Sequence, residues 1–331
     1  MKASVILEDL SIGYKTRQGI HAVANGLSAT INSGCLTCLL GDNGVGKSTL
    51  LRTLSGFQPK LAGNIYCWRK DEGGRRKDEG RRTKDEGEMR NLETFSDHEL
   101  ARTIGIVLTE KPDVQQMTVK ELVEMGRAPY TGFWGRLGSD DRQACDEAIS
   151  LIGIGHLRNR LVPTLSDGER QKVMIAKALA QQTPIIYLDE PTAFLDYPSK
   201  VDMLLLLSRI SRTAQKTVFL STHDLELALQ VADTVWLMQR EANERDASGK
   251  VPGTAAEAPD TTVEAPGTAA EAPDTTAEAP GTAAEAPDTG AVALHIGTPR
   301  ELAQSGVLSR FIERTKEIAF DKETLSVHVV R

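Results

Sequence analysis

The sequence predicts an α/β fold with a mostly parallel sheet at its core. Two observations predict it. Short apolar runs, LTCLLG (36–41), IGIVL (104–108), PIIYLD (184–189) and TVFLST (217–222), alternate with helical patterns, as strands buried on both faces and covered by helices do. The stretch GDNGVGKST, Gly41–Thr49, fits G-x-x-x-x-G-K-[ST] between a strand and a helical run, STLLRTLSG, the context in which backbone N–H groups wrap a phosphate.

Composition bounds the remainder. The chain has 331 residues, 40% of them hydrophobic and 26% charged, which suits a soluble globular protein of one or two domains. A net charge of −7 gives no basic field for nucleic acid, so no nucleic-acid partner is expected. The longest apolar runs, such as LLLL at 204–207, are far below the roughly 20 residues of a membrane span. MKASVILEDL at the start is too short for a signal peptide, and the chain is expected to stay in the cytoplasm. Cys35 and Cys38 form a CxxC inside an apolar run with no second ligand pair. With Cys67 and Cys145 they read as small buried hydrophobes, not as a disulfide or metal framework.

Taken in order, Tyr14 in DLSIGYKT passes for a core or surface aromatic, and the phosphate loop follows. In that loop Gly41, Asp42, Asn43, Gly44, Val45, Gly46, Lys47, Ser48 and Thr49 are expected around a nucleotide. Lys47 reaches the β/γ oxygens and the Ser48 hydroxyl ligates Mg²⁺. Residues 69–90 repeat KDEG at seven-residue spacing with nearly balanced charge, which predicts a solvated insert. LSDGERQK (165–172) has the Ser166-to-Glu169 spacing of a capping box, so it reads as a helix start. Its Ser and Gly would also suit a phosphate, while its acids would not.

PIIYLDEP ends in two carboxylates. On a parallel strand these project beside the phosphate loop, Asp189 towards Mg²⁺ and Glu190 towards the attacking water as its orienting group or base. TVFLSTHD brings His223 to the same crevice, where it would bond the γ-phosphate and the water. Residues 241–290 repeat PGTAAEAPDTT with a fourteen-residue period and read as a disordered insert. The strand-like flanks TVWLMQ (234–239) and AVALHIG (291–297) make it an overgrown hairpin turn.

Gly41–Thr49, LSDGERQK, YLDEP (187–191), AFLD (193–196) and STHD (221–224), in this order and spacing, resemble the ATP-binding subunits of ABC transporters over roughly 1–240 and 291–310. The resemblance implies one P-loop NTPase domain of the ABC type over 1–331. Besides the parallel core it would hold an antiparallel β subdomain, a helical subdomain at 112–165 and a C-terminal strand and helix in 291–331. Tyr14 would stack on adenine. One set of motifs implies a homodimer in which Ser166, Asp167, Gly168 and Glu169 of one subunit cap the ATP of the other, and Asp196 couples the two. Relatives commonly carry a Gln after the strand IGIVL; here Glu110 stands there as the third metal-side residue.

ELVEMGRAPYTGFWGRLGSDDRQACDEAI (121–149) resembles the helical subdomain of importers of iron–siderophore chelates, haem and cobalamin. It implies a permease partner and, through it, a substrate-binding protein, with the ATPase peripheral on the cytoplasmic face of the inner membrane. Tyr130, Phe133 and Trp134 would either line the permease groove or pack the core. The remaining readings are the ATPase of another ABC transporter or a soluble non-transport ABC ATPase.

Overall fold

A long antiparallel pair begins the chain, β1 (Ala3–Thr16) and β2 (Gly19–Asn32), in a computed structural model that describes residues 2–17, 19–70, 87–109, 114–132, 134–240, 292–315 and 317–330. The main chain then runs through β3 (Leu36–Gly41), α1 (Lys47–Leu54), β4 (Ala62–Lys70), β5 (Gly87–Asn91), α2 (Asp97–Thr103), β6 (Ile104–Val107), α3 (Val119–Glu124), α4 (Ser139–Ile152) and α5 (Asp167–Ala180). It continues through β7 (Ile185–Asp189), α6 (Tyr197–Thr213), β8 (Thr217–Ser221), α7 (Leu225–Val231), β9 (Thr234–Arg240), β10 (Val292–Gly297), α8 (Pro299–Gln304), α9 (Val307–Ile312), β11 (Ile318–Asp321) and β12 (Ser326–Val329). Among the described residues no helix is long and apolar enough to cross a membrane.

The central sheet has the order β10-β9-β3-β8-β7-β6, parallel from β9 to β6 with β10 antiparallel at the edge. Period-two alternation divides each central strand between two cores. Cys38, Leu40, Ile186, Leu188, Val218, Leu220, Val235 and Leu237 face the helical layer. Leu39, Ile185, Tyr187, Phe219, Trp236 and Met238 face the four-stranded antiparallel sheet β2-β1-β4-β5. Phe219 packs edge-to-face between Tyr187 (5.9 Å) and Trp236 (5.0 Å). Both faces of the sheet are therefore covered, which is why its strands read as unbroken apolar runs.

All four cysteines are free and buried. Burial pushes the Cys67 thiol up to about 12 and that of Cys145 to about 11, and raises Cys35 and Cys38, so none is a ready thiolate.

Two boundaries differ from the sequence reading. The charged insert expected over 69–90 is narrower, because Arg69–Lys70 end β4 and Gly87–Arg90 belong to β5, with Trp68 opposite Met89 and Arg69 opposite Glu88. Gly87 is required there: a Cβ would lie 2.4 Å from the Trp68 ring. The segment 291–331 holds more than a strand and a helix. After α9 a hairpin, β11–β12, folds back because Phe320 is buried and its N–H donates to Glu313 Oε1 (2.8 Å). The central portions of both repeats, 71–86 and 241–291, lie outside the described residues; β9 and β10 on either side of the second pair in register, Arg240 opposite Val292.

α3, α4 and α5 pack as one helical group. The GRAP turn is its pin. A Cβ on Gly126 would lie 2.3 Å from the Lys177 carbonyl of α5, so only glycine lets the turn approach. The buried Arg127 donates to Asp141 Oδ1 (2.9 Å), the Ala180 carbonyl (2.7 Å) and Gln182 Oε1 (3.0 Å), satisfying the C-terminal end of α5.

Candidate functional site

The C-terminal ends of β3, β7 and β8 lie side by side, so their loops share one crevice. β3 runs out at Gly41, whose φ of 149° and close approach to the Met238 carbonyl (2.3 Å from a would-be Cβ) exclude a side chain. The loop then turns through Gly44 and Gly46, both in the left-handed region. A Cβ on Gly46 would meet Val23 at 2.4 Å, while Gly44 faces open space. Four other helices, α2, α3, α5 and α8, close their first turn with a Ser or Thr cap and a returning Glu. α1 has neither a side-chain cap nor an acid in its first turn. Its leading N–H groups are thus left for an external anion.

Lys47 lies along this loop, almost fully buried. Its Nζ donates to the carbonyls of Gly41 (2.8 Å) and Asp42 (2.9 Å). Burial lowers its pKa, against the opposing pull of Glu190, Asp42 and Asp189. A desolvated ammonium so held can exchange loop carbonyls for phosphate oxygens. The side chain of Val45 belongs to the core and Thr49 is buried, so both offer the crevice only their backbones.

Ser48 Oγ donates to Asp189 Oδ1 at 3.1 Å, bringing together two oxygen ligands suited to a small hard cation that would draw its remaining ligands from phosphate and water. Thr109 Oγ1 donates to the Asp189 carbonyl (2.9 Å), which brings the end of the IGIVL segment to the site. Glu110 itself lies outside the described residues, as does Phe133.

Ser221 is the residue that sequence reasoning missed. It is fully buried, donates to Asp189 Oδ1 (2.7 Å) and accepts from the Glu190 N–H (3.0 Å). Its signal was register: Asp189 and Ser221 are paired across β7 and β8, visible only once YLD and FLS are aligned as parallel neighbours. Glu190 adopts a left-handed backbone (φ 49°), and its Oε1 contacts His223 Nε2 at 2.5 Å. His223, expected to face phosphate and water, thus holds the Glu190 carboxylate here. Asp224, next in the chain, accepts from Thr192 Oγ1 (2.8 Å) and Lys200 Nζ (2.7 Å), tying the loop after β8 to the one after β7.

Tyr14 is half-exposed at the end of β1, and its hydroxyl hydrogen-bonds Thr49 Oγ1 (2.8 Å), which sets an open aromatic beside the loop. Ser166 and Glu169 do not bond to Gly41–Thr49. Ser166 Oγ accepts from the Glu169 N–H (3.2 Å), Glu169 returns to the Ser166 N–H (2.9 Å), and Arg160 lies 3.4 Å from the Glu169 carboxylate. These backbone contacts foremost hold Glu169 below its ordinary pKa. The Ser166 hydroxyl is thus engaged with Glu169 within the box. A Cβ on Gly168 would rest 3.5 Å from Leu195, so this loop and the AFLD stretch form a continuous surface. Asp196 caps α6 through the Ser199 N–H (3.1 Å).

Of the aromatics after the GRAP turn, Tyr130 is half-buried. Its hydroxyl donates to the Gln181 carbonyl (3.0 Å) and its ring carries the Arg127 guanidinium at 3.9 Å. Trp134 is 82% exposed. A separate apolar groove of about 410 Å³ opens between the end of α1, α2 and α5, lined by Phe57, Leu100, Ile104, Ile106 and Lys177, with Phe57 67% exposed.

Known proteins match this arrangement. The family model described as ABC transporter matches residues 24–193. The ferric enterobactin transport ATP-binding protein FepC of Escherichia coli is 36% identical over 68% of this chain and 74% of its own length. The iron(3+)-hydroxamate import ATP-binding protein FhuC of Bacillus subtilis is 34% identical over 68% of this chain and 75% of its own. The solved structure of CbiO1 of Clostridium perfringens, part of the ABC transporter complex CbiONQ, is 26% identical, with a TM-score of 0.57 over 72% of this chain and 85% of that one.

Proposed function

We propose, since the chain belongs to the ABC transporter family and is an ATPase of that family, that it energises the import of an iron–siderophore chelate. The observation that carries the catalytic part is the convergence of Lys47, Ser48, Asp189, Ser221, Glu190 and His223 at the C-terminal ends of the parallel strands β3, β7 and β8. The iron–siderophore part rests on the resemblance to FepC and FhuC.

In this reading the loop Gly41–Thr49 takes the nucleotide phosphates with its N–H groups, and Lys47 swings from the Gly41 and Asp42 carbonyls to the β/γ oxygens. Tyr14 takes the base. Ser48 and Asp189 hold Mg²⁺, which supplies charge neutralisation of the phosphates when bound. Glu190 orients the attacking water and accepts its proton, and His223 fixes the Glu190 carboxylate for that task. Two subunits close head to tail. Ser166 and the N–H groups at the start of α5 then meet the partner's γ-phosphate, with Asp196 and the AFLD stretch beside them. A permease helix docks in the groove beside Phe57, and nucleotide-driven closure is passed to it. The ATPase then sits peripherally on the cytoplasmic face of the membrane, with a substrate-binding protein reached through the permease.

The test is affinity capture of the tagged chain from detergent-solubilised membranes, followed by uptake of radioactive iron chelates in cells lacking it. The reading expects a co-purifying membrane permease and lost uptake of ferric siderophore. Recovery of the ATPase only in soluble complexes contradicts it.

A further inference from the structure

Asp42 places a carboxylate inside the loop that is to receive phosphates. Its charge acts on Lys47, whose ammonium it favours, and it would equally repel an incoming polyphosphate. The loop does not face this carboxylate alone. Arg314, 272 residues away in sequence, donates through Nη2 to both Asp42 oxygens, at 2.8 and 2.7 Å.

The guanidinium is held in place from its own side. Nε donates to the Phe311 carbonyl (3.0 Å), and its plane lies over the Phe311 ring at 4.9 Å. The segment that carries it is anchored twice: the Phe320 N–H donates to Glu313, and the Val327 N–H donates to Glu226 of α7 at 2.7 Å. α7 begins two residues after His223. The C-terminal segment therefore spans from the helix behind the His223 loop to the phosphate loop itself.

We propose that Arg314 is a positioning residue of the nucleotide site: it neutralises Asp42 and fixes the phosphate loop in a form that accepts a nucleoside triphosphate. The C-terminal hairpin thereby becomes part of the site. The proposal rests on the nucleotide reading of Gly41–Thr49. Both side chains are about half exposed, so the effect is moderate and salt-sensitive.

The experiment measures the affinity of the full-length chain for fluorescent mant-ATP in 50 mM and 500 mM NaCl, in wild type, Arg314→Gln, Asp42→Asn and the double variant. Thermal midpoints serve as fold controls. Arg314→Gln should weaken binding about fivefold at low salt, less at high salt. The double variant, which also removes the repelling carboxylate, should bind more tightly than Arg314→Gln and approach wild type, with Asp42→Asn alone supplying the fourth corner of the cycle. Loss of Arg314 through a general structural defect would not be rescued by Asp42→Asn. Unchanged affinity in Arg314→Gln overturns the proposal. A double variant as weak as Arg314→Gln also overturns it, since Arg314 would then touch the nucleotide itself or only support the fold. Failure of wild type to bind mant-ATP would instead sink the nucleotide reading of the loop, and this proposal with it.

Discussion

Replacing Ser221 by Ala removes one oxygen that bonds both Asp189 and Glu190. Ser221 Oγ donates to Asp189 Oδ1 at 2.7 Å and accepts the Glu190 N–H at 3.0 Å, in a fully buried setting. A hydrogen bond to a charged group contributes about 1.5–3 kcal/mol, and a buried N–H left without its acceptor costs about 1–3 kcal/mol. Asp189 keeps Ser48 as a donor, and the cavity left by one oxygen is small, so the two losses overlap instead of adding in full. The expected cost is about 3 kcal/mol. In a domain of this size roughly 2 °C of thermal midpoint is lost per kcal/mol, which gives a drop of about 6 °C. Because Glu190 leaves the strand with a left-handed φ of 49°, loss of its N–H partner also frees its backbone, and kcat should fall at least tenfold. Circular dichroism melting and steady-state phosphate release measure both. Ser221→Cys, close in size and a weaker donor, should fall between. A Ser221→Ala variant that melts within 1 °C of wild type and retains half its kcat would show that Ser221 supports neither carboxylate.

Three further outcomes follow from other parts of the molecule. Gly126→Ala drives a Cβ to 2.3 Å from the Lys177 carbonyl and should cost about 1–3 kcal/mol in urea unfolding, with mant-ATP affinity in the surviving folded fraction unchanged. Phe57→Ala should leave basal ATPase within twofold and abolish co-purification of the permease, since Phe57 is exposed at the groove; retained capture would remove the groove as the dock. The capping glutamates Glu99, Glu121, Glu169 and Glu301 are each held below the ordinary value of 4.5, chiefly by their cap residue's N–H. Depressed folded-state values mean stability that is present above about pH 4.5 and lost as pH falls through the lower folded values. The urea midpoint should decline below pH 4.5, and Glu121→Gln should flatten part of that decline. Identical pH profiles for that variant and wild type would show that the cap carries no such linkage.

The central sheet and its crevice were legible because they rest on local signals. Runs buried on both faces announce parallel strands, and the glycines of Gly41–Thr49 fit only the turn they make. Ser166 and Glu169 form the capping box that their spacing suggested. What escaped depends on partners far apart in the chain. Ser221 gains its role from register with Asp189, and His223 from contact with Glu190 rather than from its own strand position. Gly87–Arg90 look like a solvated charge run until Met89 is set opposite Trp68. Tyr130 reads as groove or core alike, and only the distant Gln181 carbonyl and the Arg127 guanidinium show how it is held, half-buried against the end of α5. The C-terminal hairpin has short strands of mixed polarity, and its place follows from Phe320 reaching the core, which no local pattern encodes.

In the proposed mechanism Glu190, held by Ser221 and His223, activates water at the nucleotide site. Steady-state ATPase and mant-ATP affinity of Glu190→Gln, measured on the same preparation with size-exclusion chromatography in ATP, test it most directly. Gln keeps the shape and hydrogen-bonding length but cannot accept the proton. Glu190→Gln should keep affinity within threefold of wild type, lose at least a hundredfold in turnover and elute as an ATP-stabilised dimer. Turnover within threefold of wild type, with affinity unchanged, would contradict it.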